Sequence, residues 1–107
     1  MEGVEWIPLH QDEPPGSGRG PVGAVVLIRM APGRGYARHR HVGAEDVLVL
    51  GGGYRDESGE HRAGDHVHYP PGSVHTPVAL GRADRPASPE NSVCVLYSVV
   101  PGGIEYV

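Results

Sequence analysis

The stretch His39-Arg40-His41-Val42-Gly43-Ala44-Glu45-Asp46-Val47-Leu48-Val49-Leu50 decides how this chain of 107 residues is read. Side chains in a strand alternate between faces, so His39 and His41 project from one face while Arg38 and Arg40 take the other. Two imidazoles on one face can chelate a single ion. Val42-Gly43-Ala44 reads as a turn and Glu45 opens an apolar run, so a hairpin would bring its carboxylate beside the two rings. Val47 and Val49 fall on the face of Glu45, which predicts a largely apolar wall around the acid. His75, after the turn Pro70-Pro71-Gly72, can return on a paired strand to supply a third nitrogen.

The rest of the chain predicts an all-β fold. Seventeen Gly and eleven Pro interrupt every window before three helical turns accumulate, so no helix is expected. Apolar β-branched runs such as Val25-Val26-Leu27-Ile28 lie between them and set the chain apart from disorder. Strands are predicted over Val4–Ile7, Val22–Met30, Tyr36–His41, Asp46–Leu50, Tyr54–Arg55, Glu60–Arg62, Asp65–Tyr69, Val74–Val78, Ser92–Val100 and Ile104–Tyr106. Asp56-Glu57-Ser58-Gly59 has the composition of a hairpin turn, and Gly51-Gly52-Gly53 reads as a turn because no helix follows it to cradle a phosphate. Pro14–Pro21 and Gly81–Asn91 are the longest expected loops, both taken as mobile. With no Phe and one Trp, the interior must be filled by Val, Leu, Ile and Tyr, which suits a small barrel. The length corresponds to one domain, 1–107.

A net charge of −4 and the absence of any basic cluster argue against nucleic acid and anionic membrane as partners. The chain has no apolar leader region and no run of about 18 apolar residues, so the expected location is cytoplasmic. Cys94, the only cysteine, lies in the apolar stretch Val93–Leu96 and is expected to be a buried, inert thiol. Seven histidines are present. His66 and His68 form a second His-x-His without a third ligand at suitable spacing, and a structural or rim role is expected. His10 and His61 are expected to be solvated.

The spacings resemble those of the cupin superfamily. Gly33, five residues, His39-Arg40-His41, three residues, Glu45, six residues and Gly52 resemble the first cupin motif. Gly64, five residues, Pro70, one residue, Gly72, two residues and His75 resemble the second, with Ala79 where that motif usually has Asn. Within the superfamily, the runs Glu45–Leu50, Tyr54–Gly59 and Pro71–Pro77 are similar to the cupin domain of ChrR-type anti-sigma factors. The resemblance implies a double-stranded β-helix, or jelly-roll barrel, and homodimerisation through its outer sheet. It does not extend to the helical zinc-binding domain that contacts the sigma factor in those proteins, and no sigma partner is expected.

The expected ligand set is therefore His39, His41, Glu45 and His75, holding one divalent transition metal. Such borderline donors suit Fe, Mn, Ni, Co, Cu or Zn, and an octahedral ion would keep two positions for a small-molecule ligand. Two functions of different class follow. One is a non-haem dioxygenase acting on a compact chelating substrate such as a diketone or a hydroxylated aromatic. The other is a ligand- or metal-sensing module without turnover. The same ligands would also serve a metal-dependent isomerase or hydrolase. Tyr69 is the nearest candidate proton donor, against the plainer reading of a core tyrosine with one hydrogen bond. No carboxylate besides Glu45 is placed inside the barrel.

Overall fold

Alternation of apolar and polar residues organises the chain into strands, of which Ala24–Met30, His39–His41, Glu45–Gly51 and Cys94–Val100 have their buried residues on one face. The structure, a computed structural model, describes residues 1–12 and 23–107; the expected loop Pro14–Pro21 and Val22 lie outside the described residues. The strands are β1 (Val4–His10), β2 (Ala24–Met30), β3 (His39–His41), β4 (Glu45–Gly51), β5 (Gly53–Asp56), β6 (Gly59–Arg62), β7 (His66–Tyr69), β8 (Val74–His75), β9 (Val78–Ala79), β10 (Cys94–Val100) and β11 (Ile104–Tyr106). No helix occurs among the described residues, and none is therefore long and apolar enough to cross a membrane.

Five strands form one antiparallel sheet in the order β1-β2-β10-β4-β7, and two three-stranded sheets run β11-β3-β8 and β6-β5-β9. Sequence neighbours are often separated in space, as in a jelly roll: β10 inserts between β2 and β4, and β11 pairs with β3. On β10 the alternation is complete, with Cys94, Leu96, Ser98 and Val100 buried and Val95, Tyr97 and Val99 half-exposed. Their inward faces meet Met30, Val47, Val49 and Tyr54, so valine, leucine and tyrosine do fill the interior. Each fully buried apolar side chain of this size contributes roughly 1.5–3 kcal/mol. Cys94 is fully buried, and that burial pushes its thiol up to about 12, as an inert cysteine requires.

Proline explains one difference between the predicted strands and the observed ones, although β1 runs on through Pro8 to His10, beyond the predicted Val4–Ile7. The expected strand Val74–Val78 is divided into β8 and β9 because Pro77 has no amide to give to a ladder. The facing strand is interrupted at the same level: Gly35 bridges Val78, the Tyr36 amide donates to the Pro77 carbonyl, and regular pairing resumes only where His39 meets His75. The expected strand Tyr36–His41 is thus shortened to His39–His41. The Gly81–Asn91 loop is organised around Asn91 rather than left loose. The Asn91 side-chain amide donates to the carbonyls of Arg82, Arg85 and Pro86 and its oxygen accepts from the Arg82 amide.

Candidate metal centre

Strand pairing brings the four expected ligands together. β3 presents His39 and His41 inward and Arg40 outward, where Arg40 pairs with Glu105. His75 on β8 lies directly opposite His39 in the ladder, and Glu45 begins β4 facing the same interior. One ligand atom from each of His39, His41, Glu45 and His75 lies within 4.8 Å of the others, and all four residues are buried.

The hydrogen bonds on the far side of each ring assign its tautomer. His39 Nδ1 donates to the Ala37 carbonyl at 2.7 Å, and His75 Nδ1 donates to Asp56 Oδ2 at 2.8 Å. Ser73 Oγ gives its own proton to the Pro70 carbonyl at 2.6 Å, so it accepts from His41 Nδ1 at 2.9 Å. Each neutral imidazole therefore carries its proton on Nδ1 and turns an Nε2 lone pair inward. The Nε2 atoms of His39 and His75 face each other at 2.9 Å with no proton between them in these tautomers. His41 Nε2 is 2.9 Å from Glu45 Oε1 yet has no hydrogen-bond partner in that geometry. Three lone pairs and a carboxylate aimed at one buried point repel one another unless a cation lies among them. That donor set fits a divalent ion, with outer hydrogen bonds holding each ring in its ligating orientation.

Asp56, expected from the sequence in a hairpin turn, is part of this orienting shell. Its side chain is 1% exposed. Oδ2 accepts from His75 and from the Tyr69 hydroxyl, at 2.5 Å, while Oδ1 accepts from the Ser58 amide and hydroxyl. Burial alone would raise its pKa; the bonds from Ser58, Tyr69 and His75 outweigh that and hold its carboxyl far below the usual range. The signal was present in strand parity, since Asp56 is two residues from the buried Tyr54 on β5.

Tyr69 is placed differently from a proton donor facing a substrate. Its ring stacks on His41 with centroids 5.0 Å apart, and its hydroxyl is engaged by both Asp56 and Tyr54, the latter at 2.6 Å. Burial and these bonds raise its pKa well beyond that of an ordinary phenol. His61, expected in solvent, is only 15% exposed and lies 3.2 Å from Asp56 Oδ1. His66 and His68 are on the outer face, both bonded to Asp46, and His10 is exposed beside Asp12.

A cavity of about 40 Å³ adjoins the cluster, with His39, Glu45 and His75 in its wall among Val26, Val47 and Leu96. Burial lowers the pKa of His39 to about 4 against the opposing pull of the Ala37 carbonyl, and lowers that of His75 despite Asp56. Both rings are thus neutral and able to ligate at pH 7.

The family model of the ChrR cupin-like domain matches residues 1–84. No curated protein matches the chain. Among solved structures, the complex of Rhodobacter sphaeroides SigE with the anti-sigma ChrR is similar at 26% identity and TM-score 0.70, over 94% of this chain and 46% of that one. A protein of unknown function with a cupin-like fold from Ralstonia eutropha matches at 21% identity and TM-score 0.74, over 99% of this chain and 59% of that one. An acetylacetone dioxygenase from Acinetobacter johnsonii matches at 15% identity and TM-score 0.72, over 98% of this chain and 64% of that one. The chain spans about half to two thirds of these proteins, and the last two likenesses establish the fold alone.

Proposed function

This chain belongs to the ChrR cupin-like family, and on that premise we propose that it is a metal-binding cupin, read as one domain over 1–107, that acts as a non-haem dioxygenase on a small chelating substrate. The observation that carries the reading is the convergence of the His39, His41 and His75 lone pairs with the Glu45 carboxylate at one buried point. A divalent transition metal held there by these four residues would supply Lewis-acid activation and, as iron, dioxygen chemistry at its remaining positions. The chain's own residues do the rest. Ala37, Ser73 and Asp56 keep each ring in the ligating tautomer, and the apolar wall of Val26, Val47 and Leu96 keeps bulk water away from the cluster.

Two measurements test this in sequence. Purified protein is expected to bind one equivalent of divalent metal, His41→Ala to lose it and His61→Ala to keep it. Unchanged stoichiometry in His41→Ala would overturn the assignment. Oxygen uptake by the Fe(II)-loaded protein is then followed across small diketones and catechols, and turnover of at least one is expected. Silence from a fully metallated site favours the second reading, a ligand- or metal-sensing module, which the match to the ChrR cupin-like family and the likeness to the anti-sigma ChrR support. A homodimer and a cytoplasmic setting complete the proposal. The outer face of the large sheet supports the dimer, with a row of Ile7, Leu27, Tyr97 and Leu48 across β1, β2, β10 and β4.

A further inference from the structure

Ser98 stands in a wall where its hydroxyl has nothing to bind. The inward positions of β10 are Cys94, Leu96, Ser98 and Val100, and the strands on either side present Val26 and Val47 directly opposite Ser98. Ser98 is 1% exposed, lines the cavity shared with His39, Glu45 and His75, and its Oγ has no hydrogen-bond partner among the described residues. A buried orphan hydroxyl destabilises a fold, a cost that alanine at this position would not carry. Residues that cost stability at a cavity wall are characteristic of binding sites.

We propose that Ser98 anchors the far end of a ligand whose near end is held at the His39/His41/Glu45/His75 cluster, and that the ligand is a short monoanion bearing a second, uncharged oxygen. This inference rests on the metal reading. Ser98 faces Val47, so Glu45 is its diagonal neighbour across the β10–β4 ladder, roughly 7–8 Å away between Cα atoms. The cavity of about 40 Å³ holds only a small molecule, since one water needs roughly 10–15 Å³ of such space. Three neutral imidazoles and one carboxylate leave a divalent ion with one net positive charge, which suits a single carboxylate or enolate. Among the described residues no Arg lines the cavity, and the chain has no Lys, so a second carboxylate would find no counter-charge there. The fitting class is the short hydroxy- or oxo-acid, or a small enolisable dicarbonyl, with its uncharged oxygen on Ser98.

The test uses zinc-loaded protein whose zinc content is measured first; absence of zinc overturns the metal reading and this ligand class with it. Loaded protein is titrated with 3-hydroxypropanoate, with butanoate, which replaces the hydroxyl by a methyl, and with malonate, while the methyl resonances of Val26 and Val47 are followed. 3-Hydroxypropanoate is expected to bind about fivefold more tightly than butanoate, with malonate far weaker than both. Ser98→Ala is expected to reverse the first preference and, without ligand or metal, to melt higher than the parent. An unchanged preference in Ser98→Ala, binding of malonate equal to that of 3-hydroxypropanoate, or a lower melting temperature for the ligand-free variant would each overturn the proposal. The last would show Ser98 serving the fold, and an unchanged preference would leave it binding a water alone.

Discussion

At the scale of single residues, the centre depends on groups that touch the rings from behind. Asp56 accepts from His75 while its other oxygen is filled by Ser58, and every neighbour of the carboxylate is a donor. Asp56→Asn would turn an NH₂ toward one set of donors. Metal affinity, measured by competition with a chromophoric chelator, is expected to fall roughly 10–100-fold in this variant, whereas Tyr69→Phe, which takes one of several donors from the carboxylate, should change it less. An unaltered affinity in Asp56→Asn would contradict the orienting role. Burial of the imidazoles also makes the metal-free protein sensitive to acid. His39 is held at about 4 when folded against 6.5 when unfolded, so between these values the unfolded chain binds a proton that the folded one does not. Stability is therefore complete above about pH 6.5 and falls as the pH drops toward 4, by up to about 3 kcal/mol from His39 alone, with His75 adding in the same direction. Urea midpoints of chelator-treated protein at pH 7.5 and 4.5 check this, and equal midpoints would refute it.

At the scale of elements, turns decide which strands can meet. Between β4 and β5 the chain bends from the large sheet into another through Gly52, whose φ of 61° lies in the left-handed region and whose missing Cβ would stand 2.4 Å from the Val93 carbonyl oxygen. Gly52→Ala is expected to cost about 2 kcal/mol or more, read as a lower denaturant midpoint with unchanged slope, because both the backbone strain and the clash must be relieved. Because β5 carries Asp56, the variant should weaken metal binding as well. Pro77 acts in the opposite way, by preventing pairing. It separates β8, which carries His75, from β9, which joins a different sheet, so one short segment serves two walls of the barrel.

At the scale of the whole molecule, the large sheet has one face in the barrel and the other exposed. Ile7 is 62% exposed, Leu50 51% and Leu48 39%, a continuous apolar surface of the kind that marks association. Sedimentation is expected to show a dimer that Leu48→Asp converts to monomer, and a monomeric parent at high micromolar concentration would refute it. The core touches the cluster on one side: Tyr36 and Tyr69 pack on its rings, while Val49 and Cys94 are buried elsewhere among apolar neighbours. Chelator treatment should leave the far-ultraviolet spectrum and a cooperative melt intact, with metal restoring about 4 kcal/mol when present at a thousandfold over its dissociation constant. Loss of the cooperative transition on chelation would show that the ion is structural.

Local pattern determined the parts of this protein that depend on neighbours in sequence. Strand parity placed His39 with His41 and Glu45 with Val47 and Val49, and the paired cupin spacings were enough to bring His75 to them, because a turn and a period of two leave little freedom. Tertiary structure alone decided which donors complete the rings. Asp56 looks like a turn residue until β5 places it behind His75, and His61 is drawn in with it. Ser98 is an unremarkable strand serine until the barrel closes around it and removes every partner. The physical reason is common to all three: a hydrogen bond between residues far apart in sequence, or the lack of one, has no local signature, since it exists only once the sheets have closed on each other.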